Sequence, residues 1–122
     1  KAALPDHNVI SFSGDGGFML TMQELETAMR VNLPVIAIVV NNNMFGTIRA
    51  HQEKQFPGRV ISTPLTNPSY ERIAKEFGCG GATVRSNEQF LPVFQEALQS
   101  DKPYVIEIIT DPQILSAAQA AK

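Results

Sequence analysis

Two short motifs in this chain carry groups that can do chemistry together. Gly14-Asp15-Gly16-Gly17 offers one carboxylate inside a glycine-rich turn, and Asn41-Asn42-Asn43 offers amide oxygens. Asn42 follows Asp15 by 27 residues, with a helix-like segment between them. Each motif ends an apolar run that reads as a parallel strand. One carboxylate, one amide oxygen and a closely approaching backbone suit a magnesium ion that holds a diphosphate. Mg²⁺ is a hard cation that takes one or two carboxylates and fills its remaining positions with phosphate and water oxygens. The glycines at 14, 16 and 17 let the backbone turn sharply and reach a ligand with no Cβ in the way. Backbone N–H groups in such a turn, near a helix N-terminus, form an anion site.

The elements that must position these motifs follow from the pattern around them. Residues 8–13 are short, apolar and rich in β-formers, which predicts a buried strand. Thr21 followed by Glu24 is a capping-box signature. Met22, Leu25, Ala28 and Met29 recur at helical spacing, with Gln23, Glu26 and Arg30 between them. Leu33-Pro34 is expected to stop that helix. Residues 35–40 form a continuous apolar run, as in a strand covered on both faces. The order is strand, glycine turn, helix, strand. In open α/β sheets the ligand site lies outside the carboxyl ends of the strands, where both motifs fall.

Downstream the alternation continues. Residues 44–66 show no clear period; 46–54 reads as a short helix or ordered loop and the remainder as irregular. Asn67-Pro68 has the form of an N-cap followed by proline at the first helical position. Tyr70, Ile73, Ala74 and Phe77 repeat at helical spacing until Gly78. Residues 81–84 and 104–109 are strand candidates. Phe90, Phe94, Ala97 and Leu98 mark a helix in which Pro92 lies either in a late-starting first turn or at a kink. An Ala/Gln-rich tail after Asp111-Pro112 is helical or frayed. The fold class expected is α/β, a mostly parallel sheet flanked by helices. At 122 residues, 43% of them hydrophobic, the chain is large enough for one core. A net charge of −2 gives no electrostatic reason for a nucleic acid or membrane partner. No apolar stretch is long enough to span a bilayer. Cys79 is the single cysteine and reads as a small buried residue; a cytoplasmic location is expected.

Gly14-Asp15-Gly16-Gly17-Phe18, Gln23-Glu24-Leu25, Leu33-Pro34-Val35, Asn41-Asn42 and Phe45-Gly46-Thr47-Ile48-Arg49 together resemble the GDG…NN motif of thiamine diphosphate enzymes. The nearest flavour is the acetolactate synthase and benzoylformate decarboxylase group of 2-oxo acid enzymes. The resemblance runs over nearly all of the chain and matches the C-terminal, diphosphate-binding domain. It implies that Asp15, the side-chain oxygen of Asn42 and the backbone carbonyl of Met44 hold Mg²⁺. Gly14, Gly16, Gly17, Gly46 and Thr47 would then lie at the diphosphate of thiamine diphosphate. Phe45 and Ile48 flank the metal loop, where core packing and substrate-pocket lining are equally good readings.

The same resemblance implies elements outside residues 1–122. A glutamate that contacts the aminopyrimidine comes from the N-terminal pyrimidine-binding domain of a neighbouring subunit. A bulky apolar residue under the cofactor and the first strands of the domain lie upstream of the glycine motif. The expectation is a single-domain fragment, incomplete at its N-terminal side, of a longer homodimeric or homotetrameric lyase or transferase. No residue of 1–122 is then catalytic, and the isolated chain is inactive. The alternatives are a non-catalytic or regulatory module that keeps the fold, or the small subunit of a two-chain decarboxylase. A dinucleotide fingerprint fails because Met19 stands where its third glycine belongs. His7 and His51 read as solvated, Glu53-Lys54 and Glu71-Arg72 as surface charges, and Glu24 as part of the helix cap or as support around the metal.

Overall fold

The structure, a computed structural model, describes residues 1–115. Four strands form one fully parallel sheet in the order β1-β2-β4-β3. The strands are β1 (Ile10–Gly14), β2 (Ile36–Asn41), β3 (Gly80–Val84) and β4 (Tyr104–Ile109). Helices α1 (Asp15–Met19), α2 (Glu24–Arg30), α3 (Gly46–Gln55), α4 (Tyr70–Glu76) and α5 (Asn87–Leu98) lie between them. The expected α/β architecture is therefore the observed one. Of the Ala/Gln-rich tail, residues 116–122 lie outside the described residues.

The two faces of the sheet carry separate cores, as the two-residue side-chain period of a strand requires. Ala37, Val39 and Val105 point to one face and pack with Phe18, Leu25, Tyr70, Ala74 and Cys79. Ile36, Ile38, Tyr104 and Ile106 point to the other, against Ala97, Phe90, Val93 and Phe94 of α5. β2 and β4, covered on both sides, account for the unbroken apolar runs seen in the sequence. Cys79 is buried as expected, and burial pushes its thiol pKa up.

Several boundaries differ from the sequence expectation, each for a local reason. β1 is not a buried strand: it is an edge strand, and Ile10 and Phe12 are exposed. Phe12 pairs with Ile38 and so shares the α5 face, but α5 packs over β3 and β4 and leaves Phe12 uncovered. The Thr21–Glu24 capping box does not form. α2 starts at Glu24 with no side-chain cap, because the preceding residues already run in tight turns. Glu24, Leu25 and Glu26 donate to the carbonyls of Thr21, Met22 and Gln23. α2 stops before Leu33-Pro34. Asn32 takes a positive φ of 52°, a conformation that Asn tolerates better than most residues, and the Leu33 N–H closes back on the Ala28 carbonyl.

α4 is capped by Ser69, whose side chain accepts from the Arg72 N–H; Asn67 is used elsewhere. Gly78 ends α4's turn at φ 82°. α5 starts at Asn87 and carries Pro92 in its interior, so the late-start reading is wrong. Lying in the second turn, Pro92 removes only one backbone bond of the helix.

Candidate diphosphate and metal site

β1 and β2 are neighbours, and both motifs lie at their carboxyl ends. β1 runs straight into α1, with Gly14 as the last strand residue and Asp15 as the first helical one. β2 ends at Asn41, and α3 begins at Gly46. Between them a cavity of about 160 Å³ is lined by Gly14, Asp15, Gly16 and Gly17 on one side and Met44, Phe45, Gly46, Thr47 and Ile48 on the other. Nine residues singled out from the sequence thus meet at one place. Asn42 stands just behind this wall, where a Cβ on Gly46 would come within 2.8 Å of its amide nitrogen. A Cβ on Gly16 would overlap the Phe45 ring, so glycine there lets the two loops close on each other. Phe45 and Ile48 are partly exposed and line the cavity, so neither is a fully buried core residue.

The asparagine loop is built by its own side chains. Asn41 Oδ1 accepts from the Asn43 N–H at 3.0 Å and Asn42 Oδ1 from the Met44 N–H at 3.2 Å. These are successive side-chain turns of the kind short amides favour. Asn43 takes φ 54° between them. Residues 63–65 then hold the loop from outside: Phe45 donates to the Thr63 carbonyl and Leu65 to that of Asn43. The Met44 carbonyl accepts from the Gly46 N–H at 2.9 Å. The ten-residue helix α3 starts at the cavity with no side-chain cap, so beyond the engaged Gly46 N–H its first turn still presents N–H groups and its positive dipole end to an anion there.

Asp15 is 3% exposed. Its Oδ1 accepts from the Gly16 N–H at 2.9 Å and its Oδ2 from Asn67 Nδ2 at 2.7 Å. The Tyr70 hydroxyl donates to the Asp15 carbonyl at 3.2 Å. Burial, then the nearby Asp15 and Glu107 carboxylates, push the Tyr70 pKa up to about 12, which keeps that hydroxyl a donor. The three ion pairs among the described residues are Arg30–Glu26, Arg49–Glu53 and Lys75–Glu71; none involves Asp15. A carboxylate buried beside a cavity without a cation is costly by several kcal/mol, and a bound dication offsets that cost. Among the described residues, Asn67 Oδ1 is also buried without a hydrogen-bond partner. One carboxylate, one amide and one carbonyl, all hard oxygens, suit Mg²⁺ that keeps phosphate and water as its other ligands. The residues present fit the ion.

Sequence reasoning missed the support behind Asp15. Asn67 Nδ2 also donates to Asn41 Oδ1 at 2.8 Å, and Asn41 Nδ2 donates to Glu107 Oε1 at 2.8 Å. Glu107, 3% exposed, faces the Thr83 hydroxyl at 3.1 Å through Oε2, and the same hydroxyl donates to Glu71 Oε2 at 2.7 Å. Glu71 is therefore not a free surface charge; hydrogen bonds from Lys75 and Thr83 hold its pKa below the ordinary value. The one available signal was Glu107 itself, a charge inside an otherwise apolar strand. Glu53 pairs with Arg49 at 2.8 Å. His7 and His51 are exposed, as expected. Glu24 is exposed too and enters neither a cap nor this network.

Comparison with known proteins agrees with this geometry. Residues 1–108 match the model of the thiamine pyrophosphate enzyme C-terminal TPP binding domain. The chain is 34% identical over 112 residues to the acetolactate synthase isozyme 2 large subunit of Escherichia coli, covering 91% of this chain and 20% of that protein. It is 35% identical over 115 residues to the acetolactate synthase large subunit of Corynebacterium glutamicum, covering 89% and 18%. Among solved structures, the thiamine diphosphate-dependent 4-hydroxybenzoylformate decarboxylase of Rhodococcus jostii superposes with a TM-score of 0.84 at 29% identity, over 90% of this chain and 21% of that one. The chain spans about a fifth of the length of these relatives. It belongs to the family of C-terminal thiamine pyrophosphate-binding domains of thiamine pyrophosphate enzymes.

Proposed function

We propose that this chain holds Mg²⁺ and the diphosphate of thiamine diphosphate at the cavity between Asp15 and Met44. It does so as the C-terminal part of a longer enzyme that decarboxylates or ligates 2-oxo acids. The observation that carries this reading is the buried Asp15 carboxylate, without a cationic partner among the described residues, beside a cavity with glycines on one wall and an uncapped helix N-terminus on the other. Asp15, Asn42 Oδ1 and the Met44 carbonyl hold the ion. The backbone of Gly14, Gly16, Gly17, Gly46 and Thr47 approaches the diphosphate. Phe45 and Ile48 form an apolar wall at the pocket. When bound, the cofactor supplies a nucleophilic carbon that adds to a carbonyl and an electron sink for the resulting carbanion. This chain's part is to anchor and orient: no side chain within it acts on the reacting atoms. The pyrimidine half of the cofactor falls to the N-terminal domain of a neighbouring subunit, in a homodimer or homotetramer. Isolated, residues 1–122 are inactive.

Titration calorimetry of the complete enzyme with thiamine diphosphate, in Mg²⁺ and in chelator, tests the reading. Binding that requires Mg²⁺ and disappears in Asp15→Ala supports it. Equal binding with and without the metal contradicts it.

A further inference from the structure

The hydrogen bonds behind Asp15 form a chain with a fixed direction. Glu107 Oε1 can only accept from Asn41, so the Asn41 amide must turn its Nδ2 to Glu107 and its Oδ1 to Asn67 and to the Asn43 N–H. Asn67 then faces two acceptors, Asn41 Oδ1 and Asp15 Oδ2, and must give both hydrogens of its Nδ2 to them. Carboxylates at both ends thus set the orientation of the two amides between them. Flipping either amide would bring oxygen against oxygen in a buried site, where an unpaired polar group is costly. What remains is Asn67 Oδ1, a buried acceptor with no donor among the described residues, on the same amide that grips Asp15.

Resting on the proposed metal site, we propose that Asn67 and Glu107 are positioning residues for the metal carboxylate. Glu107 orients Asn41, Asn41 orients Asn67, and Asn67 holds Asp15 Oδ2. Partners that orient a metal ligand contribute about ten- to a hundred-fold to metal affinity.

The test measures the Mg²⁺ dissociation constant of the folded complete enzyme at saturating thiamine diphosphate, with melting temperature recorded separately. Asn67→Ala is expected to weaken Mg²⁺ by about ten- to a hundred-fold. Asn41→Asp places two acceptors face to face and should weaken it similarly. The double variant Asn41→Asp/Glu107→Gln reverses donor and acceptor across that contact and should return affinity to within about three-fold of the parent. Asn41→Asp and Glu107→Gln are close to isosteric, so their comparison survives even where Asn67→Ala fails to fold. A merely structural role would lower the melting temperature and leave the dissociation constant of the folded protein unchanged. Parent-like affinity in Asn67→Ala and Asn41→Asp, beside its loss in Asp15→Ala, would overturn this inference alone. Parent-like affinity in Asp15→Ala would overturn the metal assignment and this inference with it.

Discussion

Phe12 and Ile38 are partners in register on adjacent strands and share one face of the sheet, yet Phe12 is 73% exposed and Ile38 is 7% exposed. A few residues further along the same two strands the situation inverts: Asp15 and Asn41, both polar, are 3% and 4% exposed. The apolar edge is left bare while the polar end is closed and paired. Burial here follows neighbours rather than residue type. At the carboxyl end, residues 63–67 and strand β4 fold over the polar groups and satisfy them. Along β1 no described helix covers the α5 face. The polar end is closed by neighbouring segments of the chain, and among the described residues the apolar edge is uncovered.

Substitutions can break this contrast from either side, and the polar end should respond most. Asp15→Ala should abolish Mg²⁺-dependent cofactor binding, since two neutral oxygens remain to hold a dication against a diphosphate. Asn42→Ala should weaken it substantially and Asn43→Ala much less, because Asn43 is exposed and contributes its backbone turn. Equal effects of Asn42 and Asn43 in titration calorimetry would place the register one residue off.

Ile48 sits between the two regimes, an apolar side chain half exposed at the polar end. In the complete enzyme Ile48→Ala should shift kcat/KM toward bulkier 2-oxo acids by about ten-fold or more, the usual effect of removing methylenes from a pocket wall. Unchanged ratios across a size series would remove Ile48 from the pocket.

On the apolar edge, Phe12→Gln should leave the melting temperature of the isolated chain unchanged, within the roughly 0.5 kcal/mol typical of surface sites. It should reduce self-association measured by light scattering, because an uncovered apolar patch on a free strand edge invites pairing. Unaltered association would mean that the edge is not the sticky surface.

The smallest effect belongs to the rim of the network. Glu71 has a lowered pKa in the fold, so its contribution to stability is present above its unfolded pKa and is lost as pH falls through the folded value. Exposed pairs of the Glu71–Lys75 kind contribute about 0.3–0.5 kcal/mol. Denaturant unfolding of Glu71→Gln against the parent should therefore differ at neutral pH and converge in acid. A gap that widens on acidification would reverse that sign.

The residues on the cavity wall were legible in the sequence because each motif lies at the end of a strand, where the chain must turn. Gly14 to Gly17 and Met44 to Ile48 needed only the order of elements to be brought together. Asn67 was not legible. Asn-Pro before a helical period reads as a cap, and its actual partner, Asp15, is 52 positions away. Glu107 was visible as a charge in an apolar strand, but its role depends on which strand lies beside it, and a single sequence does not give strand order. The exposure of Phe12 escaped for the same reason: a run of β-formers looks alike at the edge and at the centre of a sheet. The missing capping box shows a smaller effect, local backbone turns satisfying the donors that Thr21 was expected to serve.

The most direct test is the anomalous signal of Mn²⁺, substituted for Mg²⁺, in crystals of the complete enzyme with thiamine diphosphate. The expected result is one peak in the cavity between Gly14 and Thr47, ligated by an Asp15 carboxylate oxygen, Asn42 Oδ1 and the Met44 carbonyl, with the diphosphate completing the shell. A peak elsewhere, or one that engages Asn43 in place of Asn42, would contradict it.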